Sequence, residues 1–503
     1  MRVLRTLSVF VVLALTACVK TGAAGGIIPT PTPAPTAAAS SSRLVSAGLP
    51  VLDTVPERPL YTLNVTLDYK NSALATQQRI EFKNPTGADA QELRFNIPPA
   101  RRGQFDLRDV RIFGESKPLS WTLTVSNTVL IVTLPAPLPA RDAIAIALDF
   151  TVKIPLQEAT FGIGGDDSSR GPLSLTAGHW YVMLAPWRDG VGWDTPAFVP
   201  IGDPYTGELA DYAANILAPD GIIVAGAGEE TREGRLWRYR LPAARVFAFA
   251  ASDSFKVDTS NVNGVQFTLY SYPAHQKYAE DVLITAERAV KLYGELYGPY
   301  AYKTLRLVET GRAQGQEYSG LVGIGQALFQ GYTGSGSRHD LIATTAHEVS
   351  HQWWFQAVGN DQIRTPWLDE SFARMSEYRF YQRYYPADAD WWMKYFITYS
   401  EVKGAIDLPI TAFADPRAYI DAVYRRGFVF LNEVRRTVGD ASFDAAMRDY
   451  YANSVNRSAS QDAFFDALAA RSAQNIGPLV KAYFGGSVAL PCKISANAVG
   501  CRR

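Results

Sequence analysis

Residues 347–373 read HEVSHQWWFQAVGNDQIRTPWLDESFA, and the rest of the chain is best read outward from this stretch. His347 and His351 stand four residues apart in a segment whose periodicity predicts a helix from near Asp340 to Gly359. At that spacing two imidazoles project from one face about one turn apart, so both can reach a single zinc ion. Glu348 lies beside this face and can act as general base towards an attacking water. Ile342, Ala346, Val349 and Trp353 form an adjoining apolar stripe that buries the helix. With only five histidines in the chain, such a pair with Glu second arises by accident in roughly a few chains per thousand of this composition, given the motif definition. A pair of capped or stacked core histidines is the competing structural reading, and it starts far behind.

Catalytic zinc typically keeps three protein ligands and one open position. The third candidate is Glu370, which eighteen residues separate from His351. The segment Val358 to Pro366 lets the chain turn, so a second helix beginning near Trp367 presents Glu370 in its first turn towards the first helix. Glu377, seven residues on, returns to the same face; it either holds a ligand histidine or is a solvated carboxylate.

Upstream, from about Leu60 to Val257, apolar and polar residues alternate in short runs broken by turn signals such as Asn84-Pro85 and Pro98-Pro99. Tyr61, Leu63, Val65, Leu67 and Tyr69 share one face; further runs lie around Ile80–Phe82, Leu93–Ile97, Val129–Leu134 and Ile144–Ile154. This pattern predicts an antiparallel all-β domain over residues 46–257. Between Leu156 and Asp211, Gly, Pro, Asp and Trp are frequent, which predicts long loops that shape a cleft wall. After Ser271-Tyr272-Pro273 the period becomes helical: residues 275–297 form an amphipathic helix stopped by Gly298-Pro299, a strand follows at Leu305–Val308, and helical signals dominate to about residue 484. The expected second domain spans residues 258–490 and ends in amphipathic stretches at Asp440–Tyr451 and Gln461–Ala470. No fixed-period repeat is evident, which argues against a solenoid.

The N-terminus carries Arg2 and Arg5, an apolar stretch from Thr6 to Ala17, and Cys18, the pattern of an export signal over residues 1–17. Spanning a membrane takes about 20 apolar residues, so this stretch is too short to be a transmembrane helix. Leu15-Thr16-Ala17-Cys18 resembles the lipobox of bacterial lipoproteins, in which the cysteine receives lipid; an ordinary secretory signal with an incidental cysteine is the alternative. Residues 18–45, rich in Pro, Ala, Ser and Gly, form an extended tether. The expected location is therefore the extracytoplasmic side of a bacterial membrane, held there by a lipid on Cys18. Cys492 and Cys501 lie close together in the tail, residues 491–503. In an exported protein they form one local disulfide, and a metal site there is disfavoured because no histidine is near.

The 49 basic and 49 acidic side chains cancel, and no long single-sign run appears, which removes the electrostatic footprint of a nucleic-acid partner. Removal of residues 1–17 leaves 47 basic against 49 acidic side chains, so charge gives the body no reason to adhere to anionic lipid. Hydrophobic residues at 47% and charged residues at 19% exclude disorder of the whole chain, and 503 residues predict more than one domain. Nothing in the sequence specifies an oligomeric state.

HEVSH, eighteen residues and then Glu is the gluzincin signature. The flanking words HEVSHQWW and WLDESFA resemble the zinc-binding segment of the aminopeptidase N and leukotriene hydrolase family, over most of the chain from about Leu60 to Phe484. The resemblance implies a saddle-like β domain followed by a thermolysin-like α/β, mostly helical, catalytic domain. It also implies one zinc ion per chain on His347, His351 and Glu370, and hydrolysis of peptides from the free N-terminus. The family's Gly-x-Met-Glu-Asn exopeptidase loop corresponds to Gln314-Gly315-Gln316-Glu317-Tyr318-Ser319-Gly320-Leu321. Its glutamate is kept as Glu317, which would bind the substrate's α-ammonium and so fix register. Its first glycine, methionine and asparagine are changed, which leaves the side-chain pocket and the strength of aminopeptidase selectivity open. The glycine-spaced run from Gly320 to Gly325 is compatible with an edge strand that pairs with substrate backbone. The family's Tyr-x-Lys/Arg-Gly pattern is met by Tyr424-Arg425-Arg426-Gly427, which makes Tyr424 the oxyanion donor. The long helical C-terminal domain of full-length relatives looks absent or reduced, which implies a more open cleft.

The reading that results is an exported zinc aminopeptidase with peptide substrates. A thermolysin-type endopeptidase is the alternative if Glu317 faces away from the cleft. A non-catalytic peptide-binding lipoprotein that retains the fold is the other alternative.

Overall fold

The computed structural model describes residues 57–157, 168–205, 207–334, 336–398, 403–486, 488–495 and 501–502, all within one compact unit, Leu44–Arg503. The export segment, Cys18 and the tether lie outside the described residues.

Alternation along Leu60–Asp68 does what the sequence demands: Tyr61, Leu63, Val65 and Leu67 are buried while the residues between them are half-buried or exposed. This strand sits inside a seven-stranded sheet, in the order Glu229–Glu233, Leu236–Ala244, Ala210–Leu217, Leu60–Asp68, Ala73–Lys83, Ala143–Lys153 and Phe105–Ile112. A four-stranded sheet includes Ala90–Asn96 and Val129–Leu138. The two sheets meet through aromatic contacts such as Phe82 against Phe95, whose rings lie edge to face with centroids 6.4 Å apart. The expectation of a purely antiparallel region needs one correction. Leu60–Asp68 runs parallel to Ala210–Leu217, in register from Leu60 opposite Asp211 to Thr66 opposite Leu217. No hairpin can join these strands; the intervening chain makes other strands first, and a long connection is what permits parallel pairing.

From Lys256 the chain enters a five-stranded mixed sheet, ordered Lys256–Val262, Val265–Ser271, Thr304–Thr310, Leu321–Gly325, Gln316–Tyr318. The helix Ala279–Leu296, with Glu280 and Asp281 in its first turn, crosses between Val265–Ser271 and its parallel neighbour Thr304–Thr310. It packs on the helix Asp340–Ser350, where the Tyr293 hydroxyl donates to the Ala346 carbonyl at 3.0 Å. The helix Trp367–Tyr384 lies against Asp340–Ser350 in turn. Further helices, Gly427–Val438, Asp440–Ser454 and Gln461–Arg471, complete this half. Among the described residues no helix is long and apolar enough to cross a membrane. Cys492 and Cys501 are joined by a disulfide.

The helix that carries the histidines ends at Ser350, not near Gly359. The Trp353–Val358 segment folds into a turn in which Phe355 takes a φ of 141° and donates its N–H to the Val358 carbonyl at 3.0 Å. A helix cannot continue through that backbone conformation.

Candidate active site

Three donor atoms converge between the two buried helices. His347 Nε2 lies 3.3 Å from His351 Nε2 and 3.2 Å from Glu370 Oε2, and His351 Nε2 lies 3.5 Å from the same oxygen. Ligands about 2.0–2.1 Å from a tetrahedral ion stand roughly 3.3 Å apart, so the three spacings fit zinc. Glu370 reaches this position because Pro366 starts its helix and leaves Asp369 and Glu370 in the first turn, where the helix dipole favours carboxylates.

Each donor is oriented from behind. His351 Nδ1 lies 2.7 Å from Asp369 Oδ1 and 3.0 Å from the Trp354 carbonyl, which assigns its proton to Nδ1 and frees Nε2 for a ligand. Asp369 is fixed by the Gln362 amide, which donates to Oδ2 at 2.8 Å. His347 Nδ1 stands 3.2 Å from Glu377 Oε2, within contact range though without the alignment of a formed hydrogen bond. Glu377, fully buried, accepts from Trp392 Nε1 and Arg374 Nη1, both at 2.6 Å. Of the two sequence readings of Glu377, the buried partner of a histidine is therefore the one seen. The Tyr424 hydroxyl donates to Glu370 Oε1, and its ring stacks on His347 with centroids 5.9 Å apart.

Burial opposes every charge here, and the neighbours decide which group keeps one. Glu370 would be raised by desolvation, yet His351 and His347 beside it hold it far below the usual carboxylate range. Glu348 is pushed up by burial, against the opposing pull of His347 and His351, the direction that suits a carboxylate taking a proton from water. Its Oε2 is buried without a hydrogen-bond partner. Its Oε1 approaches Gly315 so closely that a Cβ there would lie 2.1 Å away. Tyr424 is raised by burial and then by Glu370, so the phenol stays protonated and able to donate.

Glu317 sits on the strand Gln316–Tyr318, the edge of the five-stranded sheet, and is 7% exposed. One of its carboxylate oxygens lies within 4.8 Å of ligand atoms of His351 and Asp369, and one within 4.8 Å of carboxylate oxygens of Asp203 and Glu370. Desolvation, then the Asp203 charge, raises its pKa well above the ordinary value. The Gln316 amide donates to Glu317 Oε2 at 3.1 Å. The structure thus gathers His347, Glu348, His351, Glu370, Glu317 and Tyr424 in one place.

Gly320 departs from expectation. It occupies a turn at φ 70°, its N–H donates to Gln352 Oε1 at 2.9 Å, and its carbonyl accepts from the Arg306 N–H at 3.2 Å. Its N–H is thus engaged inside the protein rather than offered at a sheet edge. Leu321–Gly325 lies between two strands, and the sheet edge is instead Gln316–Tyr318. Asp203 is the residue that sequence reasoning missed. It lies within the β region, in the segment between Gly192–Trp193 and Ala210–Leu217, and Gly202 before it sits so close to the Tyr419 ring that a Cβ would lie 2.9 Å from Cζ. Its only sequence signal was the Gly-, Pro- and Asp-rich composition predicted to wall a cleft.

Residues 287–483 match the Peptidase family M1 domain. The chain is 30% identical over 254 residues to aminopeptidase N of Lactobacillus delbrueckii subsp. lactis, covering 46% of this chain and 30% of that one. It is 28% identical over 256 residues to aminopeptidase N of Lactobacillus helveticus, with 47% and 30% covered. The chain therefore spans 30% of the length of these curated relatives. Among solved structures, a mutant of the M1 zinc metallopeptidase from Deinococcus radiodurans superposes with a TM-score of 0.63 at 16% identity, covering 87% of this chain and 96% of that one. A structure of a mutant of that enzyme bound to a Tyr-Ser-Ala substrate gives 0.60 at 15% identity, covering 86% and 95%. The fold is that of M1 zinc metallopeptidases.

Proposed function

We propose that this chain is a zinc-dependent aminopeptidase that removes N-terminal residues from peptides. The observation that carries the reading is the triangle of His347, His351 and Glu370 donors at 3.2–3.5 Å, with Glu317 within 4.8 Å of His351 and, by a carboxylate oxygen, of Glu370. The M1 domain match and the aminopeptidase N relatives support it.

His347, His351 and Glu370 would hold one zinc ion, which when bound polarises a carbonyl and makes water more acidic. The other roles belong to side chains. Glu348 takes the proton from the attacking water and delivers it to the leaving amine. Tyr424 exchanges its hydrogen bond to Glu370 for one to the developing oxyanion. Glu317, with Asp203 beside it, pairs with the α-ammonium and fixes which peptide bond is presented. A thermolysin-type endopeptidase would need Glu317 turned away, and its carboxylate faces the donor triangle instead.

Chelator-sensitive hydrolysis of aminoacyl-anilides, with matched N-acetylated peptides left uncut, is the expected result; cleavage of both alike would move the protein to the endopeptidases. Abolished turnover in Glu348→Gln with zinc retained separates the enzyme from a peptide-binding lipoprotein, whose ligand binding would be unchanged.

The setting belongs to the same proposal: export through residues 1–17, lipid on Cys18 and attachment to the extracytoplasmic side of a bacterial membrane. The lipobox-like Leu15-Thr16-Ala17-Cys18, the tether and the Cys492–Cys501 disulfide support it. Metabolic labelling with a fatty acid should mark the wild type and not Cys18→Ser; equal labelling of both would refute the anchor.

A further inference from the structure

Arg245 directly follows the strand Leu236–Ala244 of the seven-stranded sheet, yet its side chain is spent on the far half of the molecule. It is 4% exposed. Its Nε donates to the carbonyls of Phe355 and, at 3.2 Å, Gln356, and its Nη2 donates to the Arg457 carbonyl at 2.9 Å. Its own N–H donates to Ser319 Oγ at 3.0 Å. A Cβ on residue 359 would lie 2.1 Å from its Cζ, so the guanidinium fits only because Gly359 is there.

Two of the carbonyls it holds, those of Phe355 and Gln356, belong to the turn after the histidine helix. Phe355 has φ 141°, a region that non-glycine residues occupy only where surrounding contacts over-determine it. Those contacts are visible: Arg245 on the Phe355 and Gln356 carbonyls, the Gln356 N–H on the His351 carbonyl at 2.9 Å, and the Gln356 side chain on the Ala243 carbonyl at 2.7 Å. The carbonyl immediately before Phe355 is that of Trp354, which lies 3.0 Å from His351 Nδ1. The Trp354–Phe355 peptide adjoins the Phe355–Gln356 peptide whose carbonyl Arg245 holds, and the φ of 141° at Phe355 sets the angle between the two, so the direction of the Trp354 carbonyl depends on where Arg245 keeps its neighbour.

We propose that Arg245 is a positioning residue for His351, holding the Phe355–Gln356 peptide so that the Trp354 carbonyl just before it fixes the ring of the metal ligand. Through it the β region of the chain sets metal affinity in the helical half. The inference rests on the zinc reading above, because His351 needs a fixed ring only as a ligand. A lysine at 245 keeps the charge but cannot reach carbonyls on two segments at once.

The test uses the full chain. Zinc dissociation constants are measured by chelator competition for wild type, Arg245→Lys, Gly359→Ala and a control, Leu63→Ala, which opens a cavity in the seven-stranded sheet away from the site. Urea unfolding is followed on the same samples, and the visible spectrum of the cobalt-substituted proteins reports ligand geometry. Arg245→Lys is expected to weaken zinc binding at least 10-fold, the scale of lost partners behind metal ligands, and to alter the cobalt bands. Gly359→Ala, which drives the guanidinium out without removing it, should do the same, while Leu63→Ala loses stability and keeps both zinc affinity and spectrum. Zinc affinity within 2-fold of wild type and an unchanged cobalt spectrum in Arg245→Lys would overturn the proposal. So would failure of both Arg245→Lys and Gly359→Ala to fold even in saturating zinc, which would make Arg245 a determinant of the fold alone. A wild type that binds no zinc would instead remove the functional reading on which the inference rests.

Discussion

The hydroxyl of Tyr424 donates to Glu370 Oε1 while Glu370 Oε2 faces both histidines. One carboxylate thus joins the candidate oxyanion donor to the candidate metal ligands, and loss of the phenol proton would be felt on both sides. Tyr424→Phe is expected to lower kcat about 10²- to 10³-fold, the cost of one missing oxyanion donor, with KM nearly unchanged. Steady-state kinetics beside metal analysis checks this; a kcat within 3-fold of wild type would remove Tyr424 from catalysis.

Asp369 meets His351 Nδ1 at 2.7 Å and is itself held by Gln362. Asp369→Asn replaces an acceptor with an amide that must turn to serve the ring, so zinc affinity should fall about 10- to 100-fold. Competition against a chromophoric chelator measures it, and an unchanged dissociation constant would show that the Trp354 carbonyl suffices.

Removing the carboxylate of Glu348 should separate turnover from metal binding. Glu348→Gln keeps size and hydrogen bonding but cannot take a proton, so kcat should drop about 10²- to 10⁴-fold while one zinc per chain remains. Loss of metal in this variant would mean that Glu348 is a ligand and not the base.

Glu317→Ala should raise KM for free-amine substrates and narrow the difference between free and N-acetylated peptides, with zinc content unchanged. If discrimination against acetylated peptides is retained in full, Asp203 is the dominant cation partner, and Asp203→Asn becomes the variant that abolishes it.

Asp194 supplies the pH dependence. Its carboxylate is 2% exposed and accepts from Arg188 Nε at 2.5 Å and from Arg364 at 2.9 and 3.1 Å. Burial alone would raise it, but Arg364 and Arg188 hold it below the usual aspartate range. A depressed folded-state pKa contributes stability that is present above the unfolded-state value, near 3.9, and is lost as pH falls through the folded-state value. Asp194→Asn should therefore cost about 1.5–3 kcal/mol at pH 7, the range for hydrogen bonds to a charged group, and less and less below about pH 4. Urea denaturation of both proteins at pH 7 and pH 3 tests it; a pH-independent gap would assign the loss to packing.

What could be read from the sequence was local. The four-residue step from His347 to His351 and the placement of Glu370 in a first turn follow from helix geometry and from Pro366, and all three donors lie where that geometry puts them. Glu317 stands in a motif and its neighbour Asp203 does not, because nothing in a Gly- and Pro-rich segment states which distant carboxylate it will meet. The histidine helix ends at Ser350, well short of the Gly359 that periodicity alone predicts. Periodicity continues through Trp353 while the backbone at Phe355 is turned by tertiary contacts, Arg245 among them, whose sequence distance hides them. Glycine spacing does not distinguish a strand residue from the left-handed turn that precedes one, so the sequence puts Gly320 in a strand and the fold puts it in a turn.

The parallel pairing of Leu60–Asp68 with Ala210–Leu217 carries a consequence in time. A chain delivered from its N-terminus cannot pair both sides of its first strand until residues near 217 are available, since that strand's parallel partner is made about 150 residues later. Closing so long a loop before the contact is made slows folding. The hairpin Leu60–Asp68 to Ala73–Lys83 would wait with one edge open, and whatever keeps that edge from pairing with another chain in the interval governs the yield of folded protein.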